Sequence, residues 1–154
     1  MKNQKGFSLI ELLVVVVIIA IIAAIAIPNL LASRRAANQS STVANLRTLV
    51  TGEVTYAATT GAGSYGTLLL VSGADLIDDS WAGATTVKNG YTFTLATNAT
   101  NTGFCITAVR QSASTGDNSY AASHQGVIYE LPGAAAPACD STTGVISTGT
   151  VVGD

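Results

Sequence analysis

Glu11 is the residue of this 154-residue chain best placed to do chemistry, because it stands at the head of an unbroken apolar run from Leu12 to Ile27 that ends at Pro28. A carboxylate in hydrocarbon costs roughly 2.5 to 3.5 kcal/mol even on lenient insertion scales, so an acid there demands a partner. The preceding Gly6-Phe7 pair suggests one. A cut between these residues would leave an α-amino group, a cation at neutral pH, at the same depth as the carboxylate. Other reactive side chains are sparse. His124 is the single histidine and sits among Ser, Gln and Gly, which favours a turn residue over a general base. Asp75, Asp78 and Asp79 offer oxygen ligands to a hard cation, but their spacing before Trp81 reads as a solvated turn. The expectation is no enzyme, no metal and no cofactor. Arg34, Arg35 and Arg47 read as charges solvating a helix. The net charge of −2, which becomes more negative if Lys2 and Lys5 are removed, disfavours a specific nucleic-acid partner.

The element that must position Glu11 is a helix. From Phe7 to Ile27 it would rise about 30 Å, close to the thickness of a bilayer's hydrocarbon core. Lys2 and Lys5 precede it without any acid, so the positive-inside rule keeps the N-terminus cytoplasmic and sends the remainder outward. The helical pattern continues beyond Pro28. Val43, Leu46, Val50, Val54 and Ala57 recur at three- and four-residue steps with Leu49 beside them, while Asn45, Arg47, Thr48 and Thr51 fill the other side. One helix from about Phe7 to about Ala58 is expected, apolar all round in its first half and amphipathic in its second. Pro28 removes a backbone donor and should bend it. An ordinary secretory signal peptide is the alternative, with Ala24-Ile25-Ala26 as an A-x-A cleavage site and Ile27 as the new N-terminus. Glu11 inside the apolar run, and the helical pattern running past the site, argue against it.

Lys5-Gly6-Phe7-Ser8-Leu9-Ile10-Glu11-Leu12, followed by the apolar run and Pro28, resembles the N-terminus of type IV pilin precursors. The resemblance implies that a prepilin peptidase removes residues 1–6 between Gly6 and Phe7, and that Phe7 is N-methylated. It also implies that Glu11 pairs with the Phe7 amine of a neighbouring subunit and that Pro28 marks a helix kink. The implied function is a structural subunit that passes from the inner membrane into a helical homopolymer. Its implied partners are the prepilin peptidase, a platform protein, an assembly ATPase and a secretin. A pseudopilin of a type II secretion system shares these N-terminal features and is the alternative; such proteins typically carry calcium rather than a disulfide. Many pilins place a glycine mid-span, where Ala20 stands here.

The divisions expected are a leader (1–6), a membrane and filament-core half-helix (7–28), an amphipathic half-helix (29–60) and a globular sheet domain (61–154). Tyr91, Phe93 and Leu95 alternate with Thr92, Thr94 and Ala96, and Phe104, Ile106 and Ala108 alternate with Cys105, Thr107 and Val109. Both read as half-buried antiparallel strands. Residues 120–123 and 127–131 read as a further hairpin, and 145–147 as a final short strand. A short helix is expected somewhere between Tyr65 and Asn89. The fold class is α+β, a ladle-shaped molecule with the sheet covering the stripe from Val43 to Ala57. Cys105 and Cys139 are the only cysteines, and an outward-facing domain meets an oxidising compartment, so a disulfide between them is the default. Pilins commonly tie a C-terminal loop to the sheet by such a bond. Asn38-Gln39-Ser40 and Asn98-Ala99-Thr100 fit the glycosylation sequon.

Overall fold

Two turn signals and one change of hydrophobic period organise the chain, whose computed structural model describes residues 6–153. The leader residues 1–5 expected from the sequence lie outside that range. Helix α1 covers Leu9–Ala58 and runs through Pro28. The chain divides into two compact units, one up to Arg34 and one from Arg35 onward. In the first, every apolar side chain from Leu9 to Leu30 with a bulky group is more than half exposed or close to it, so nothing among the described residues covers the segment. It is long and apolar enough to cross a membrane.

In the second unit, α1 buries Thr42, Leu46, Leu49, Gly52 and Glu53. This face is rotated by about one residue from the expected stripe. Val43 and Val50 pack at the core margin, whereas Val54 is 46% exposed. The rotation follows from Gly52: a Cβ there would press on Ile77 and Val71, so only glycine lets the helix approach the segment beyond it. The helix ends in Gly61-Ala62-Gly63, where Gly61 and Gly63 donate N–H bonds back to the Tyr56 and Ala57 carbonyls.

The expected short helix is α2, Leu68–Gly73, capped by Thr67, followed by a 3-10 turn at Asp79–Trp81 capped by Asp78. Six antiparallel strands then form a meander in sequence order: β1 (Thr85–Lys88), β2 (Tyr91–Thr97), β3 (Phe104–Arg110), β4 (Asn118–Ser123), β5 (Ile128–Pro132) and β6 (Thr150–Val151). Strand β1 was not anticipated. Asn89 and Gly90, at φ 53° and 75°, form its two-residue hairpin turn, the backbone shape that Asn-Gly favours. The strand expected at 145–147 is instead an isolated bridge between Cys139 and Ile146.

Large and small side chains alternate across the strands. Phe93 lies opposite Ala108, which lies opposite Tyr120, and Ile106 lies opposite Ala122, which lies opposite Ile128. With Leu46, Leu49, Leu68, Val71 and Trp81 these residues form one core. Residues of opposite parity on β3 and β4 face away from it. Cys105, Ser119, Ala121 and Ser123 are nevertheless buried, because residues 133–149 cover them. Ser119 and Ser123 hydroxyls donate to the Gly133 and Gly144 carbonyls at 2.8 Å.

Candidate functional site

The start of α1 carries the Glu half of a capping box. Ser8 stands at the cap, Leu9 and Ile10 open the helix, and the Glu11 carboxylate reaches back to accept the Ser8 N–H at 2.9 Å. Leu12 N–H closes the first turn on the Ser8 carbonyl at 3.3 Å. The anionic end also sits against the helix N-terminus, where the backbone dipole favours negative charge. Phe7 is 91% exposed, and together with Ile10, Glu11, Leu12, Val14 and Val15 it lines an open groove of about 570 Å³. Phe7 and Glu11 therefore share one patch, in which the acid is the one polar side chain among the described lining residues. The S-x-x-E spacing of Ser8 and Glu11 is the sequence signal for this bond.

The family model for the prokaryotic N-terminal methylation motif matches residues 1–27. The chain therefore opens on that motif. Over 50 residues it is also 48% identical to the type IV wide pilus major component PilA4 of Thermus thermophilus. That match takes in 32% of this chain and 38% of the relative's length, so the likeness is to well under half of either protein. No solved structure matches the chain. The methylation motif thus coincides with the exposed apolar segment and its capping box, and the sheet unit lies outside it.

Cys105 on β3 is disulfide-bonded to Cys139, with a Cα–Cα distance of 6.1 Å. Because Cys105 faces away from the core, the bond fastens the covering segment 133–149 to the outer side of the sheet. His124 lies in the β4–β5 turn, where its Nδ1 accepts the Phe104 N–H at 3.4 Å and its ring lies 6.1 Å from that of Tyr65. The acidic residues have local work. The Ser80 hydroxyl, and after it the Ser80 N–H that Asp78 accepts at 2.9 Å, hold the Asp78 carboxyl below the usual range, and Asp79 accepts from the Ser72 hydroxyl at 2.8 Å. Asn98 of the second sequon accepts the Thr102 N–H at 2.8 Å, and Asn38 of the first donates to the Thr115 carbonyl at 3.0 Å.

Asn38 belongs to a polar latch that the sequence did not disclose. Arg35 and Gln39 both reach Asp117 at 3.4 Å, and the Tyr120 hydroxyl donates to Gln39 at 3.4 Å. The latch holds the β3–β4 loop against α1, although an ion pair this exposed contributes only about 0 to 1 kcal/mol. Beneath it, Tyr91 is fully buried and donates its hydroxyl to the Asn118 carbonyl at 2.9 Å. Burial is the main reason its pKa is pushed up to about 12. A Cβ on Gly116 would collide with that hydroxyl. Gly116→Ala should therefore destabilise the folded chain by about 1 to 3 kcal/mol, the usual cost of overpacking. Gly73→Ala, where nothing stands near a Cβ, should stay within about 0.5 kcal/mol. Urea unfolding of the two variants in detergent checks the contrast, and equal midpoints would show that the Tyr91 site yields freely.

Glu53 is a functional candidate that the hydrophobic pattern of α1 does not single out. It is 0% exposed, its Oε2 accepts the Gly66 N–H at 3.0 Å, and no donor among the described residues reaches Oε1. Desolvation pushes its pKa up to about 7 against the opposing Gly66 bond. The signal was its position: 42, 46, 49 and 53 step by four, three and four along one helix face.

Proposed function

We propose that this chain is the structural subunit of a type IV pilus, cleaved between Gly6 and Phe7, N-methylated on Phe7, and polymerised through its apolar half-helix. What carries the reading is the methylation motif over residues 1–27 on a half-helix whose apolar side chains are left exposed by the described residues. In water such a surface is untenable. In a bilayer it is satisfied by lipid, and in a filament by copies of itself. The two environments are similarly apolar, so transfer between them has little hydrophobic drive, and the charges set the register.

Residues 1–6 serve as the leader, 7–28 as the membrane and filament-core half, 29–60 as the half that packs on the sheet, and 61–154 as the outward-facing domain. Before assembly the subunit rests in the inner membrane with its N-terminus cytoplasmic. The prepilin peptidase, platform protein, assembly ATPase and secretin act on it in turn. Glu11 gives up the Ser8 N–H for the Phe7 amine of a neighbouring subunit, and Pro28 supplies the point where the helix yields. The work of the protein is mechanical, and no catalytic group takes part.

The deciding experiment is the N-terminal sequence and intact mass of the chain recovered from sheared surface filaments, with and without reductant. N-methylated Phe7, with a mass gain of two hydrogens on reduction, is the expected result. A chain processed at Phe7 but confined to the periplasm would make it a secretion pseudopilin instead. An N-terminus at Ile27 on a soluble chain would overturn both.

A further inference from the structure

Glu53 takes no part in polymerisation as described above, yet it is a fully buried acid at a junction of three segments. We propose that Glu53 is a proton-held latch: with its carboxyl protonated it keeps the turn between α1 and α2 closed, and loss of that proton releases the turn. The geometry comes first. Residues 59–67 lead from the end of α1 into α2, and the Gly66 N–H is held by Glu53 Oε2. A Cβ on Gly66 would press on the Tyr56 ring, and one on Gly61 would press on the Ser64 carbonyl and the same ring, so the turn is drawn tightly against α1. The Tyr65 N–H is fastened to the Asn101 carbonyl at 2.7 Å, which ties the same turn to the β2–β3 connection.

A carboxylate at this site would hold a full charge with one hydrogen bond and no solvent, a costly arrangement. The neutral acid keeps the Gly66 bond through its carbonyl oxygen and removes the charge. The titratable groups of the surrounding elements do not offset the charge. On α1 the neighbour one turn on is Tyr56, and the turn itself carries Tyr65, whose ring lies against Phe104 of β3 and His124 of the β4–β5 turn. Helix α2 carries none. The shift of Glu53 arises from burial and from Gly66, with no cation contributing.

The direction of the pH response follows. Glu53 has an ordinary value of 4.5 when exposed and about 7 when buried, so the closed turn binds the proton more tightly than the open one. Its contribution is complete below pH about 4.5, falls as pH rises, and is gone above about 7. Between pH 5 and pH 8 the opening equilibrium should grow on the order of 50- to 100-fold.

The test uses the full chain in detergent micelles. Amide hydrogen exchange over residues 59–70, corrected for intrinsic base catalysis, should speed up by that factor from pH 5 to pH 8. Glu53→Gln should flatten the profile, and His124→Gln should leave it as in the wild type, which separates the carboxyl from the imidazole. Carboxyl-labelled glutamate NMR supplies a readout that needs no variant at residue 53. The chain has three glutamates, Glu11, Glu53 and Glu130, so Glu11→Gln and Glu130→Gln assign the third signal. That signal should titrate between pH 6 and pH 8. A titration near the ordinary 4.5, or an exchange profile that keeps its slope in Glu53→Gln, would overturn the proposal.

Discussion

Cells whose only copy of this subunit carries Glu11→Ala should be bald. The precursor should insert and be cleaved to the wild-type N-terminus, while sheared surface filaments fall by more than a hundredfold. On the proposed reading, the variant leaves the neighbouring subunit's Phe7 amine unpaired in an apolar layer, a loss on the order of 3 to 5 kcal/mol at each addition. The capping box complicates the result in a useful way. Glu11→Ala also strips the Ser8 N–H of its acceptor, which costs about 1 kcal/mol at the helix end. Glu11→Gln separates the two effects, because an amide at this position still caps Ser8 but carries no charge. It should be as bald as the alanine variant. Full piliation in Glu11→Gln would mean that capping, and not charge pairing, is what assembly needs. Immunoblots of sheared and membrane fractions, with filament counts by electron microscopy, decide between them.

Removal of the disulfide should have the largest effect on the folded domain. Cys105 and Cys139 are separated by 34 residues, and closing a loop of that size restricts the unfolded chain by about 3 to 4 kcal/mol in the chain-entropy model. Domains of this size are stable by only about 5 to 15 kcal/mol, so Cys105→Ser should forfeit a large fraction. The loss should also be local. Residues 133–149 hold the outer face of the sheet through the Cys139–Ile146 bridge and the serine hydroxyl bonds to Gly133 and Gly144. Without the covalent tie this segment should become the first site of proteolysis while the β2–β4 strands stay protected. Urea unfolding of Cys105→Ser against wild type in detergent, with limited proteolysis mapped by mass, checks both. Unchanged midpoints and an intact C-terminal segment would show that the covering layer holds by packing alone.

Strands β2 and β3 were legible because Tyr91-Phe93-Leu95 and Phe104-Ile106-Ala108 alternate cleanly, each with one wet or thinly covered face. Strand β4 is legible as the first half of the hairpin expected at 120–123 and 127–131, which the structure forms as β4 and β5. Its start at Asn118 and Ser119 is not legible, because the strand is buried on both sides and no alternation marks where it begins. Strand β1 is short and polar, and only the Asn89-Gly90 turn announces it. The phase of α1 expected from Val43, Val50 and Val54 is about one residue off because these valines supply a plausible stripe, while Thr42, Gly52 and Glu53 on the buried face carry no hydrophobic signal. A buried acid is visible only when the helix face is counted from Leu46 and Leu49. The N-terminal patch is legible as a motif from Lys5 to Leu12, and the bond from Ser8 to Glu11 has its signal in the S-x-x-E spacing within that motif.

The meander also sets an order of events during synthesis. Each strand finds its hydrogen-bonding partner in the strand made just before it, so the sheet can zip from β1 onward as the chain emerges. The cysteine on β3 is placed early and must wait, reduced and on the outer face, until Cys139 arrives after β5 is complete. With two cysteines in the sequence there is no wrong intramolecular pairing for it to make. The hazard during that interval is a disulfide on another molecule, which the Cys105 thiolate could attack to form a mixed disulfide and release that molecule's other thiol. The faster residues 133–149 settle over the sheet, the shorter the time for which the early cysteine stands open.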